Sequence, residues 1–261
     1  DNFIYSLYIV CAMQLKAFQD ILKARNINIV LLSSKDQNFK YFNSFNDFDG
    51  LLAISSKKAF IITSVLDVEK ARKFSRIKTS CILKKDLVST VKSRVKNLKT
   101  IGINKDNITL NSYKKLKKEF KGPKFIDVSK ILNNLRQVKT EEEIALVKKA
   151  CLITDSILQK TAKELSNKKS ELDIADFINE EIKKCKCNEA FPVIVASGKN
   201  SSSIHHLPSK SRLNGFTIID LGVKCHDYCS DVSRTFYIGS PSKEEMENYC
   251  KIYTKITSFK S

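Results

Sequence analysis

The sequence predicts a mixed α/β (α+β) protein built from two domains. In the first half, short apolar and β-branched runs alternate with amphipathic helical patterns, which is typical of an α/β layer domain. In the second half, two long helical patterns precede a set of strand patterns that fold back on one another. We place the first domain at residues 13–130 and the second at residues 131–261.

The elements of the first domain follow from hydrophobic periodicity. Residues 14–25 space their apolar side chains as an amphipathic helix does, and the apolar run 29–34 predicts a buried strand. The runs 51–56 and 59–64 are joined by two lysines and predict a hairpin. Further along, the same criteria predict helices over 67–75 and 110–120 and extended segments over 100–104 and 124–129.

The second domain has clear helix starts. Thr140 and Glu143 have the spacing of a capping box, which predicts a long helix from this point. Ser170 is expected to begin a second helix, and residues 190–197 predict a strand. Residues 242–245 form another capping box, so a further helix is expected to follow.

The most informative segment is the run 216–238, in which Asp220 and Asp231 interrupt two strand patterns. A polar stretch between them predicts a hairpin whose tip is formed by Cys225 and His226. This register places Asp220 directly opposite Asp231, with Cβ atoms about 5 Å apart on one face. Two buried carboxylates at that distance repel each other, and divalent cations would remove the repulsion. The spacing therefore indicates a metal site.

Four segments of the second domain match one known family in order and spacing. They are FPVIVASGKNSSSIHH (191–206), IIDLG (218–222), SDVSRTF (230–236) and GSPSKEE (239–245). At these residues the chain resembles the prolidase and aminopeptidase P family, the pita-bread metallopeptidases. The resemblance implies a small N-terminal creatinase-like α/β domain followed by the first half of a pita-bread fold.

The resemblance also implies a site with two divalent metal ions. The family's ligands are two aspartates, which match Asp220 and Asp231, and then one histidine and two glutamates. These last three are expected beyond residue 261, so three ligands are missing from this chain and the peptidase is C-terminally truncated. Oxygen-rich coordination favours Mn, with Co, Fe or Zn as alternatives. His205 matches the family's histidine above the substrate, where imidazole can orient a peptide or move a proton.

The activity that the resemblance implies is metal-dependent hydrolysis of the bond between an N-terminal residue and proline. Proline-containing peptides are then the substrates, a homodimer is one expected assembly, and aminopeptidase and dipeptidase types both stay open. With two of five ligands, we expect residues 1–261 to be inactive alone. The alternatives are a non-catalytic pita-bread binding protein and a split or decayed enzyme that needs a partner chain. The retained Asp220 and Asp231 favour the enzyme lineage.

The composition limits the other function classes. The net charge of +18 raises the question of nucleic acid, but only seven of the 46 basic residues are Arg, which favours a solvated Lys-rich surface. The eight Cys are scattered without a standard zinc spacing, which favours reduced thiols and a cytoplasmic location.

The first residues carry a separate prediction. Residues 1–12 are mostly apolar but too short to cross a bilayer, and no other run approaches the roughly 20 apolar residues of a transmembrane helix, so no membrane association is expected. We expect Met13 to be the natural start, with residues 1–12 as an upstream addition. The alternative is that residues 1–12 form a genuine first strand.

Overall fold

The computed structural model describes residues 2–81, 86–166 and 168–258. The chain divides into two compact units, Asp1–Glu142 and Glu143–Ser261. Both units contain helices and strands, which confirms the mixed α/β class.

The described part of the first unit is a mixed sheet with helices on both sides. Its helices are α1 (Asn2–Ala24), α2 (Gln37–Asn43), α3 (Val68–Phe74), α4 (Leu87–Arg94), α5 (Leu110–Glu119) and α6 (Ser129–Gln137). Its strands are β1 (Ile29–Ser33), β2 (Gly50–Ile54), β3 (Ala59–Thr63), β4 (Thr79–Cys81), β5 (Thr100–Ile103) and β6 (Lys124–Asp127). They lie in the order β4-β3-β2-β1-β5-β6.

Both faces of this sheet are buried. Val30 and Leu32 of β1 pack in a cluster with the aromatic side chains of α1 and α2. The alternate residues Ile29 and Leu31 pack in a second cluster with side chains of α4 and α5. Because successive side chains of a strand point to opposite faces, a continuous apolar run is what a sheet covered on both sides requires.

Two expectations for the first unit have definite outcomes. Strands β2 and β3 pair antiparallel from Ile54 and Ala59 outward, so the predicted hairpin is confirmed. For residues 1–12 the sequence analysis gave two alternatives, an upstream addition or a first strand. In the structure α1 begins at Asn2, so this segment is helical and the strand alternative is wrong.

The second unit begins within a long helix and contains two small sheets. Its helices are α7 (Glu141–Glu164), α8 (Glu171–Lys184) and α9 (Lys243–Ser258), with a 3₁₀ turn at Gly198–Ser202. Its strands are β7 (Asn188–Glu189), β8 (Ile194–Ser197), β9 (Gly215–Leu221), β10 (Val223–Cys225), β11 (Tyr228–Cys229) and β12 (Val232–Ile238). In the described residues they form sheets in the orders β12-β9-β8 and β11-β10-β7.

The core of the second unit lies on one side of its sheets. Helices α7 and α8 contribute Ile157, Ile174 and Ile178 to a cluster that also contains Val195 and Ile219 of the strands. The burial of β9 alternates, with Thr217, Ile219 and Leu221 buried and the residues between them only half-buried. The second face of this sheet is therefore open along β9.

Helix α9 packs against one end of that open face. The rings of Phe216 and Tyr249 are stacked with centroids 6.3 Å apart. Met246, Ile252 and Tyr253 of α9 remain between 50% and 62% exposed. None of the helices in the described ranges is long and apolar enough to span a bilayer.

Candidate metal centre

The predicted hairpin exists, but its register differs from the expected one. The two-residue tip is His226 and Asp227, with φ values of 51° and 71°. A two-residue hairpin turn with positive φ at both central residues matches the right-handed strand twist, and Asp tolerates that conformation better than Cys225 would. Placing the tip at Cys225 and His226 was therefore wrong by one residue.

The corrected register changes the partner of Asp220 and keeps its face. Asp220 lies opposite Ser233, and the pairs on both sides of Gly222 share one register that places Asp231 opposite Gly222. Asp220 and Asp231 are thus diagonal rather than direct neighbours, with an expected Cβ separation of about 7 Å. Moving the tip by one residue shifts the pairing by two, so both carboxylates still share a face.

The carboxylates are also more accessible than expected. Asp220 is half-buried and Asp231 is exposed, whereas the sequence analysis treated both as buried. The reason is the open face of the β12-β9-β8 sheet, where an apolar strand pattern does not bring burial on both sides. Ser233 Oγ donates a hydrogen bond of 2.8 Å to Asp220 Oδ1, which holds this carboxylate along the sheet surface.

This pair of carboxylates fits part of a metal site. Carboxylate oxygens suit hard divalent cations; Asp220 lies in β9 and Asp231 directly before β12, in a register that puts both on one solvent-accessible face. Among the described residues there is no cluster of three or more His, Cys, Asp and Glu side chains that could hold a metal. The arrangement can therefore supply two ligands of a larger set.

Glycine at 222 lets the two strands approach at this point. A Cβ at Gly222 would overlap the carbonyl oxygen of Ser230 and would lie 2.7 Å from the Phe191 ring. Ser230 is buried, and its hydroxyl lies 2.5 Å from that of Thr154 on α7. The backbone beside Asp231 is consequently fixed by contact with the helix below it.

A second polar centre, which the sequence analysis did not identify, is built around Glu171. This first residue of α8 is fully buried. Its Oε1 accepts hydrogen bonds from Ser197 N and Asn200 Nδ2, at 2.8 and 2.9 Å. Its Oε2 accepts from Ser209 N and Oγ, at 3.0 and 2.7 Å, and lies 2.8 Å from His206 Nε2. One carboxylate therefore holds the whole loop 198–209.

The hydrogen bonds determine the charge of Glu171. Burial raises the pKa of this carboxyl, but the hydrogen bonds from Ser209, Asn200, His206 and Ser197 outweigh it and lower the pKa to about 2. Glu171 is therefore ionised at neutral pH. The His206 ring, which is only 17% exposed, lies against this carboxylate through Nε2.

His205 lies in this anchored loop. Its side chain is exposed, whereas that of the neighbouring His206 is turned to Glu171. The loop leaves β8 at Ser197, which pairs with Thr217, three residues along β9 from Asp220. His205 is thus carried by a loop that starts near the carboxylates, and its predicted role stays a prediction.

The signal for Glu171 in the sequence was weak. Ser170 was expected to begin a helix, and it does, with a capping box completed by Asp173. An acidic residue in the first turn of a helix is ordinary, since it suits the helix dipole. The five donors that converge on Glu171 come from the end of β8 and from the residues that follow it, and no periodicity marks them.

Comparisons with known proteins agree with this architecture. The profile of the creatinase/prolidase N-terminal domain matches residues 14–138, and that of metallopeptidase family M24 matches residues 145–256. An uncharacterised peptidase from Staphylococcus epidermidis is 30% identical over 202 residues, covering 76% of this chain and 57% of its own. A Xaa-Pro dipeptidase from Pyrococcus furiosus is 27% identical over 220 residues, covering 83% and 62%.

A solved structure gives the same result at the level of the fold. The X-Pro aminopeptidase from Thermotoga maritima superposes with a TM-score of 0.76 at 26% identity, covering 85% of this chain and 66% of its own. The chain spans about three-fifths of the length of the two curated relatives. The two profiles, taken in order, account for both units, and the chain belongs to metallopeptidase family M24, in the branch with a creatinase/prolidase N-terminal domain.

Proposed function

We propose that this protein is a metal-dependent Xaa-Pro peptidase of the aminopeptidase P or prolidase type. The observation that carries the proposal is the position of Asp220 in β9 and of Asp231 directly before the neighbouring β12, in a register that puts both on one accessible face. Relatives that are Xaa-Pro peptidases by name support the same reaction class. The substrates would be peptides with proline in the second position, where the missing amide hydrogen makes the bond unusual for other peptidases.

In this proposal Asp220 and Asp231 are ligands of two divalent metal ions, with Mn preferred and Co, Fe or Zn as alternatives. A bound metal pair supplies Lewis-acid polarisation of the scissile carbonyl and lowers the pKa of water. The proposal needs three further ligands, one His and two Glu, besides these two carboxylates. Sequencing the gene and its transcript past the codon for Ser261 tests this part directly.

The chain's own residues would have the following roles. Ser233 orients Asp220 through the 2.8 Å hydrogen bond to Oδ1. Glu171 fixes the loop 198–209, so that His205 is presented from a rigid base rather than a mobile one. His205 then orients the peptide or moves a proton, since the pKa of imidazole lies near neutrality.

Metal binding is the first experiment on the protein itself. Mn²⁺ binding can be titrated by following the electron paramagnetic resonance signal of the free ion. The affinity for Mn²⁺ is expected to fall by at least about 10-fold in Asp220→Asn and in Asp231→Asn. Asp227→Asn is the matched control, because Asp227 lies at the tip of the same hairpin and Asn tolerates its positive φ. Undiminished Mn²⁺ binding in the Asp220→Asn/Asp231→Asn double variant would contradict the assignment.

Activity separates the two enzyme types. Residues 1–261 alone are expected to be inactive towards Xaa-Pro dipeptides and towards longer peptides with proline second, because the described residues bring no group of three or more metal-binding side chains together. The complete translation product is expected to cleave one of these substrate sets in the presence of Mn²⁺. Cleavage of dipeptides alone indicates the prolidase type, and cleavage of longer peptides indicates the aminopeptidase type. Cleavage by residues 1–261 that Asp231→Ala abolishes would overturn the expected inactivity.

Two further proposals concern the cellular location and the oligomeric state of the protein. We propose a cytoplasmic protein with reduced exposed thiols, and a homodimer as its assembly. Analytical ultracentrifugation of the complete product tests the second point. A monomer at micromolar concentration would exclude it.

A further inference from the structure

Two thiols face each other across the small β11-β10-β7 sheet. Strands β7 and β10 are antiparallel, with Val223 opposite Glu189 and Lys224 opposite Asn188. One more step in this register places Cys225 opposite Cys187. The two side chains also pack in the same apolar cluster under α7 and α8.

The hydrogen-bond pattern defines the kind of pair that the two cysteines form. Ala190 N donates to Gly222 O at 2.8 Å, so these two residues form a hydrogen-bonded pair of the ladder. Cys225 lies three positions beyond Gly222, an odd number of steps, which makes Cys187 and Cys225 a non-hydrogen-bonded pair. Consistently, Cys187 N donates to Ile182 O of α8 and not to the partner strand.

This position has the dimensions of a disulfide. Non-hydrogen-bonded antiparallel pairs have Cα atoms about 4.5 Å apart. A disulfide spans Cα distances of about 4.4–6.8 Å, so the strands would not have to move apart for a bond to form.

The two thiols also differ from their neighbours in burial. Cys225 is 3% exposed and Cys187 is half-buried, whereas Cys185 and Cys229 are exposed. Burial raises the pKa of Cys187 to about 11, with a further contribution from the hydrogen bond to Cys225. Cys187 is therefore protonated at neutral pH.

We propose that Cys187 and Cys225 form a reversible intrachain disulfide that joins the segment after α8 to the hairpin beside its tip. The oxidant is a low-molecular-weight disulfide. The Cys187 thiolate attacks one sulfur of the oxidant and releases one thiol, and the Cys225 thiolate then attacks Cys187 Sγ and releases the second. Two protein thiols are oxidised, the oxidant is reduced to two thiols, and both protons go to them.

The disulfide would close a loop of chain between Cys187 and Cys225. It contains β8 and β9, the loop 198–209 held by Glu171, and with them His205 and Asp220. Asp231 lies outside it. The cross-link reduces the freedom of the unfolded chain in this stretch, so the oxidised form should be the more stable one. This holds whether or not the carboxylates bind metal.

The test uses the full chain and oxidised glutathione. After incubation and alkylation, a non-reducing digest analysed by mass spectrometry is expected to give the peptide pair joined through Cys187 and Cys225. Cys185→Ser and Cys229→Ser are matched controls at exposed neighbours and should still give it. Cys225→Ser should instead give a glutathione adduct on Cys187. A disulfide from Cys187 to Cys185 or Cys229, or adducts without any joined peptide, would overturn the proposal.

The rate supplies an independent check. Because the attacking group is a thiolate with a raised pKa, cross-linking should accelerate about 10-fold for each pH unit between about 7 and 9. The oxidised chain should also unfold at a higher temperature than the reduced chain, and this difference should vanish in Cys225→Ser. A rate independent of pH would contradict attack by the Cys187 thiolate, and an oxidised chain that melts at a lower temperature would contradict the geometry.

Discussion

The sheet of the first unit and the β12-β9-β8 sheet of the second unit use the same kind of strand for different purposes. In the first, β1 and β2 are buried on both faces by helices, and their residues are shared between two apolar clusters. In the second, α7 and α8 cover one face, and the other keeps Asp220 half-buried and Ser233 exposed.

The difference shows what an apolar strand pattern can and cannot predict. A continuous run such as residues 51–54 needs cover on both faces, and the first unit provides it. The run 216–221 looks similar but contains a carboxylate, and this residue is tolerated because its face is open to solvent. The comparison can be tested by equal substitutions at matched positions of the two sheets.

The largest loss of stability is expected in the sheet of the first unit, where substitution of either of two neighbouring strand residues should destabilise the fold. Leu52 is fully buried in one cluster and Leu51 is 8% exposed in the other. Leu51→Ala and Leu52→Ala should each lower the free energy of unfolding by about 2–5 kcal/mol. Chemical denaturation followed by circular dichroism measures this, since the chain has no Trp. Leu66→Ala, at a side chain 95% exposed, is the control; a similarly small effect of Leu51→Ala would mean that this face is not packed.

The next effect concerns the carboxylate that anchors the loop of the second unit. The pKa of Glu171 is about 2 in the folded chain against an ordinary value of 4.5. Its ionised form therefore stabilises the fold above about pH 4.5, and this contribution, on the order of 3 kcal/mol, is lost as the pH falls towards 2. Glu171→Gln should lose the contribution at neutral pH and flatten the acid limb of the stability curve.

The control for this prediction lies on the same helix. Glu180 is exposed, and Glu180→Gln should leave the acid limb unchanged. Equal acid sensitivity of the wild-type chain and Glu171→Gln would show that the five donors do not act on this carboxylate in solution.

A smaller effect distinguishes the two faces of β9. Ile219 is fully buried, and Ile218, the next residue, is half-buried on the open face. Ile219→Ala should lower the free energy of unfolding by about 2 kcal/mol or more, and Ile218→Ala by about 1 kcal/mol or less. The difference between the two variants, measured by denaturation, is the quantity of interest. Equal losses would mean that the open face of this sheet is covered in solution.

The smallest effect is expected at the candidate metal ligands. Asp231→Asn and Asp220→Asn should change the free energy of unfolding by no more than about 0.5 kcal/mol, since Asp231 is exposed and an amide oxygen at 220 still accepts from Ser233. Asp36 in the first unit is 5% exposed and accepts from Asn38 and Asn104, so Asp36→Asn should cost about 1–3 kcal/mol. A larger loss of unfolding free energy in Asp220→Asn than in Asp36→Asn would contradict the conclusion that Asp220 lies on an open face.

The fold class could be predicted from local signals because they agreed with the packing. The hairpin at residues 54–59 and the helix start at Ser170 depend on neighbours in sequence, and both were confirmed. For the segment 1–12 the sequence analysis left two alternatives, a strand and an upstream addition. It is helical in the structure, since α1 continues back to Asn2, and apolar content alone does not distinguish the two forms.

The candidate site could be predicted only in part. Two aspartates on a strand pair were visible, but the register depended on which residues accept positive φ, and this placed the tip one residue later, at His226 and Asp227. Glu171 was not identified because its donors, such as Ser197 and Ser209, lie far from it along the chain. Contacts of this kind have no period in sequence.

The two-residue tip of the hairpin offers a place to alter the protein. His226 and Asp227 are exposed, whereas the backbone near Asp231 is fixed below by Ser230 and Thr154. An inserted peptide at this tip, such as an epitope or a fluorophore attachment sequence, would extend into solvent beyond that fixed point. A reporter could thus be carried on the same ribbon as both carboxylates without changing their spacing.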